Sequence, residues 1–214
     1  LMAIFNSRLL VKGKNDQHVI WALCKHYQLP EAFSVGTPPD GEGIEALLET
    51  LPILLRARGL QVLGVVADAD QDLLSRWQAL SGHFKINGYK NLPKRPPASG
   101  WISSQPRLPR VGIWLMPNNQ LPGVLEDFAR FLIPPEDALR PKAEAVLQEI
   151  EDAGLNRYKT IHHPKAFIYT WLAWQATPGL PMGTAITARA LQADSPTAEA
   201  FVAWLRRLFE VSPS

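Results

Sequence analysis

Two stretches decide the fold: Arg8-Leu-Leu-Val-Lys12-Gly-Lys-Asn-Asp16 and Val62-Leu-Gly-Val-Val-Ala-Asp68-Ala-Asp70-Gln-Asp72. Each is a short apolar run that ends in charged residues, the pattern of a strand buried on both faces of a parallel sheet. Asp68 and Asp70 are two apart, so on an extended chain both carboxylates leave the same face. Two carboxylates at the mouth of a buried strand repel each other unless a cation or a proton lies between them. A hard divalent cation, Mg²⁺ or Mn²⁺, is the natural partner, because it takes oxygen ligands and keeps several waters. Capping of a following helix is the alternative role for either aspartate.

Outward from these runs, residues 4–12 read as the first strand and 16–27 as a helix with Val19, Ile20, Leu23 and Tyr27 on one face. A short strand is expected over 32–35, and the Gly36–Gly43 segment is a loop by composition. Leucine spacing makes 44–58 a helix, with a kink at Pro52. A strand over 60–67 and a helix over 70–80 follow. Five prolines break the 83–110 segment, in which 101–104 is expected to pair with 110–116 as a hairpin. Further helices are expected over 123–132, 136–153, 164–175 and 196–210, the last with a start signal in Ser195-Pro196.

Alternating strands and helices predict an α/β fold whose mainly parallel sheet is flanked by helices on both faces. Such sheets bind ligands beyond the carboxyl ends of their strands. Those ends carry Lys12-Gly13 with Asp16, Gly36-Thr37, Asp68-Asp70 and Asn118-Asn119. The expected division is an α/β core over 1–132, holding a basic Pro-rich insertion at 83–110, and a helical C-terminal extension over 133–214 packed on that core.

The chain has 214 residues, 46% hydrophobic and 20% charged, enough for a substantial core. No apolar run approaches the roughly 18 residues of a membrane span, and no signal-peptide layout is seen; cytoplasmic residence is expected. Cys24 is the single cysteine, which excludes an intrachain disulfide and a thiolate zinc cluster. Charge is unevenly spread. Between Asp72 and Glu126 there is no acidic residue but seven basic ones, among them Lys85, Lys90, Lys94, Arg95, Arg107 and Arg110. Those six, interleaved with Tyr89 and Trp101, are candidate contacts to nucleic acid or another phosphorylated polyanion. A solvated loop is the plain alternative. A homodimer or a protein partner is also expected.

Val11-Lys-Gly-Lys-Asn-Asp16 followed by Val65-Val-Ala-Asp68-Ala-Asp70 resembles the two signatures of Toprim domains: a strand ending in Glu-Gly with an Asp shortly after, and a later strand ending in Asp-x-Asp. The layout is similar to a Toprim-like bacterial family of unknown function, distantly similar to the overcoming-lysogenization-defect nucleases. The Toprim resemblance covers about residues 5–130. The wider likeness adds Gly123-Val-Leu-Glu-Asp127, His163-Pro-Lys165 and Pro178-Gly-Leu-Pro-Met-Gly183.

The resemblance implies a mainly parallel four-stranded sheet with a β-hairpin insertion. It implies a catalytic set of Asp68, Asp70, Lys12 and Asp16, with Mg or Mn weakly held by Asp68 and Asp70. Glu126 and Asp127 would supply a second set of ligands, as in two-metal nucleases. The chain departs from the pattern where the catalytic Glu is replaced by Lys12, which cannot ligate Mg²⁺ and carries its own positive charge. An ion pair of Lys12 with Asp68 or Asp70 is therefore expected. Two functions remain open: a metal-dependent phosphodiester hydrolase, nuclease-like and weakened by Lys12, or a degenerate Toprim module that binds nucleic acid or nucleotide without cutting. A haloacid-dehalogenase-type phosphatase also uses Asp-x-Asp after a strand, but Asp72 stands where those enzymes carry Thr or Val.

Overall fold

A computed structural model describes residues 6–211. Five strands, β1 (Ser7–Val11), β2 (Ser34–Gly36), β3 (Val62–Asp68), β4 (Trp101–Ser103) and β5 (Arg110–Met116), form one sheet in the order β2-β1-β3-β5-β4. The first four in that order run parallel, and β4 runs antiparallel to β5. The expected four-stranded sheet with a separate hairpin is therefore corrected to a mixed five-stranded sheet. The hairpin forms, but β5 is at once its second strand and the last parallel strand, so β4 becomes the sheet's edge. Burial of Trp101 against Trp77 and Phe84 holds it there. Residues 4 and 5 of the expected first strand lie outside the described residues.

Side chains alternate strictly across the sheet. Leu9, Val11, Val66, Trp114 and Met116 face one core; Leu10, Leu63, Val65, Ile113 and Leu115 face the other. The first core is closed by α1 (Lys14–His26) and α8 (Pro196–Phe209), the second by α2 (Ile44–Leu55) and α3 (Leu73–Ile86). Both faces are dry, which is why the strands read as near-continuous apolar runs. In α8, Phe201, Trp204, Leu205 and Leu208 are fully buried at helical spacing. Leu208 rests on Gly64 and Gly112, which sit opposite each other in β3 and β5. A Cβ at Gly64 would lie 2.8 Å from Leu208 and one at Gly112 would lie 3.0 Å from it, so the paired glycines let α8 approach the sheet.

The helices α4 (Leu125–Arg130) and α5 (Leu139–Asp152) fall within the expected segments, and α6 (His163–Ala173) begins one residue before its own. A short helix, α7 (Met182–Thr187), was not expected. Six residues with an internal Gly carry no readable period; the helix exists because it packs on α1, where a Cβ on Gly183 would sit 2.7 Å from the His18 carbonyl oxygen. Pro52 stays inside α2. The start of α3 is Leu73, not Asp70, because Asp72 caps it by accepting the Leu74 and Ser75 amides at 3.0 Å each. Among the described residues no helix is long and apolar enough to cross a membrane.

Candidate functional site

Parallel register brings the ends of β1 and β3 side by side, with Val11 opposite Val66. Lys12 leaves β1 there, and its Nζ donates to Asp68 Oδ2 in an ion pair. Asp68 is the last residue of β3 and is 1% exposed. Its other oxygen, Oδ1, accepts the Leu125 amide at 3.0 Å, at the first turn of α4. Both oxygens of Asp68 are thus engaged. Asp16, in the first turn of α1, is 2% exposed, and its Oδ1 is buried with no hydrogen-bond partner among the described residues. Glu126 of α4 lies close enough to act on the charges of Lys12, Asp16 and Asp68. Three segments distant in sequence converge here, one cation among three carboxylates.

That imbalance sets the protonation. Burial opposes charge on Lys12, but the carboxylates of Asp68, Asp16 and Glu126 outweigh it and hold the ammonium pKa above its usual value. Burial pushes Asp16 up to about 7, helped by the Asp68 charge and opposed by Lys12. Asp68 is also raised, by burial first and by Asp70 and Glu126, although Lys12 pulls it down. The two directions for the pair agree once the neighbours are included, because Lys12 meets three acids and Asp68 meets one base.

For Asp16 the sign follows directly. A carboxyl whose folded pKa is raised from 3.8 to about 7 binds its proton more tightly in the folded state. Its contribution is lost as pH rises through that window. Asp16→Asn should therefore exceed wild type in stability by more near pH 8 than near pH 5, as read by urea midpoints. An equal difference at both pH values would contradict the assignment.

Asp70 turns to Arg76 instead, although its charge still reaches Asp68. The two-residue rule holds only on extended backbone, and β3 ends at Asp68. Asp70 adopts φ of 53°, exchanges backbone hydrogen bonds with Gly123 at 2.8 and 2.7 Å, and forms an ion pair with Arg76 of α3. The Asp70–Gly123 link ties the loop after β3 to the loop that leads into α4, and so sets where Leu125 and Glu126 stand. Asp127 is spent on its own helix, accepting the Val124 amide at 2.9 Å. Among the described residues no group of three or more His, Cys, Asp or Glu is arranged to hold a metal ion. With Lys12 on Asp68 and Arg76 on Asp70, the set does not fit a divalent cation.

The structure divides the six candidate nucleic-acid contacts. The Trp77 indole donates to the Pro93 carbonyl at 3.0 Å and the Asn119 amide to the Ala98 carbonyl at 3.4 Å. These bonds keep Lys94 and Arg95 near the start of α3 and the end of β5, on the carboxyl rim with Arg76. Lys85, Lys90, Arg107 and Arg110 lie toward the amino ends of the strands, where Tyr89 donates to Pro109 at 2.8 Å. Arg110 is engaged there by Glu210 at 3.1 Å and by the Arg207 carbonyl at 2.9 Å. Tyr89 and Trp101 are core residues.

Two contributors escaped the sequence reading. Glu42 accepts the Lys14 amide at 3.3 Å while the Gly43 amide bonds the Lys12 carbonyl at 3.0 Å, so the Gly36–Gly43 loop braces the turn after β1. Tyr169 of α6 lies beside this cluster; burial and the Glu126 charge push its hydroxyl pKa up, with Asn15 opposing. A tyrosine among core positions of a helix carries no sequence signal of such a place.

A family model described as "Protein of unknown function (DUF3226)" matches residues 6–210. No curated protein and no solved structure matches the chain.

Proposed function

We propose that this chain, which belongs to the DUF3226 family, is a degenerate Toprim-like module that binds nucleic acid or nucleotide without cutting it. The observation that carries this reading is the Lys12 ammonium on Asp68. In the Toprim pattern a glutamate at that position adds an oxygen ligand; here a lysine adds positive charge and takes the oxygen a metal would use. Lys12 is about a third exposed, so it can neutralise Asp68 and still face a phosphate. Lys94 and Arg95 on the same rim add charge for a phosphate backbone, each contact strengthening the dependence of affinity on salt. The hydrolase reading has one observation in its favour, the unpartnered buried oxygen of Asp16, but it requires Lys12 to leave Asp68.

The test follows a fluorescein-labelled single strand of about twelve nucleotides, within the range one such binding face covers, by anisotropy in EDTA and again in Mn²⁺. Binding in EDTA, equal in Mn²⁺, with the strand intact on a denaturing gel, is expected. Cleavage, or binding that appears only with Mn²⁺, would favour the hydrolase. No binding at low salt would sink the nucleic-acid reading.

A further inference from the structure

The acid-free signal that marks residues 73–125 occurs a second time. Between Asp152 and Asp194 there is no acidic residue, and Arg157, Lys159, Lys165 and Arg189 are present. The first three fall in Arg157-Tyr-Lys-Thr-Ile-His-His-Pro-Lys165, where basic residues interleave with a tyrosine and two histidines. This segment makes a 3₁₀ turn, Thr160–His162, and enters α6.

The fold sets that turn at the edge of the Lys12–Asp68 site. Ile161, 47% exposed, lines one cavity together with Asp70, Ser75 and Arg76. Tyr158, His162, Lys165, Ala166 and Tyr169 line another. Tyr169 lies near enough to Glu126 to feel its charge, so this second cavity lies beside the acidic cluster. The Tyr158 hydroxyl is fixed by Glu151 at 2.7 Å, which also accepts His163 at 2.7 Å. That bond and packing against the core hold the Tyr158 ring in place. Lys159 and Lys165 form no salt bridge among the described residues.

We propose that Tyr158, His162, Lys165 and Tyr169 form a subsite for one unpaired nucleotide, through which a single-stranded nucleic acid reaches the Lys12–Asp68 site. The inference rests on the nucleic-acid reading above and deepens it. Aromatic faces stack on a base of any identity, while ammonium groups take the neighbouring phosphates. A paired base cannot present its face, so the arrangement selects single strands over duplex. DNA and RNA share this chemistry.

The experiment measures anisotropy of labelled dT and rU strands of about twelve nucleotides, and of the dT·dA duplex, across a salt series. It compares wild type, Lys159→Glu with Lys165→Glu, and Lys85→Glu with Lys90→Glu. All four positions are exposed, so the fold should survive. Wild type should bind both single strands more tightly than duplex. The 159/165 variant should lose about tenfold or more at low salt, and its salt slope should fall by about 1.4, two phosphates' worth for single strands. The 85/90 variant, altered at the far end of the sheet, should match wild type. Unchanged binding by the 159/165 variant, or duplex bound as tightly as single strand, overturns the subsite while leaving the broader reading intact. A wild-type protein that binds none of the three overturns both.

Discussion

Lys12→Met should lower stability by about 3 kcal/mol near pH 8, the low end of what breaking a buried ion pair costs, because Lys12 keeps some contact with water. The loss comes from what remains. Asp68 is 1% exposed and already shares its surroundings with Asp16 and Glu126; without the ammonium it would be a buried carboxylate with only the Leu125 amide in compensation. Its folded pKa would then rise further above the unfolded value. A raised carboxyl contributes stability at low pH that is lost as pH climbs. The deficit of Lys12→Met should therefore be smaller at pH 5 than at pH 8, because the lower pH favours the neutral form of Asp68. Urea unfolding at the two pH values measures both parts. A deficit that is small at pH 8, or the same at both pH values, would mean the pair contributes little to the folded state.

Trp204→Ala should cost about 3–5 kcal/mol, as large-to-small changes of buried aromatics do. For a chain of this length that is a fall in Tm of about 10 °C. Trp204 is fully buried in α8, packs against Trp114 and Phe201 at ring separations of 5.8 Å each, and donates to the Trp101 carbonyl at 3.3 Å. It also occupies the space over Gly100, where a Cβ would come within 2.3 Å of the indole. The indole thus joins the C-terminal helix to β4 and β5. One cooperative thermal transition, shifted as a whole, is the expected result. Two transitions, with the earlier one alone displaced, would show that the C-terminal helices unfold apart from the sheet.

The near-continuous apolar runs Leu9-Leu10-Val11 and Val62 to Ala67 made the strands legible, and the leucine period made α2 so. The pairing of 101–103 with β5 was legible too, but not that β4 joins the parallel sheet as its edge, which is a tertiary outcome held by Trp101 against Trp77 and Phe84. The gathering of Lys12, Asp16 and Asp68 was readable, since each ends or follows a strand in a parallel sheet. The departure of Asp70 was not, because it depends on a left-handed residue and on a bridge to Gly123, 53 positions along the chain. The basic insertion shows the same limit: a charge count cannot tell which end of a sheet a loop returns to. Residues 157–165 obey the same charge rule as the insertion, yet only the packing of α6 on α4 relates them to the site.

The most direct test of the central claim, that Lys12 supplies the positive charge a metal would otherwise bring, is the Mn²⁺-induced shift in Tm of wild type and Lys12→Glu. Lys12→Glu removes the internal cation and adds an oxygen ligand beside Asp68 and Asp16. Without metal it should melt below wild type, because the cluster then holds only acids. With Mn²⁺ at about a hundred times its dissociation constant it should regain about 2.7 kcal/mol, a rise of about 5–10 °C, while wild type shows no resolvable shift. Equal shifts in the two proteins, or a shift in wild type alone, would contradict the account.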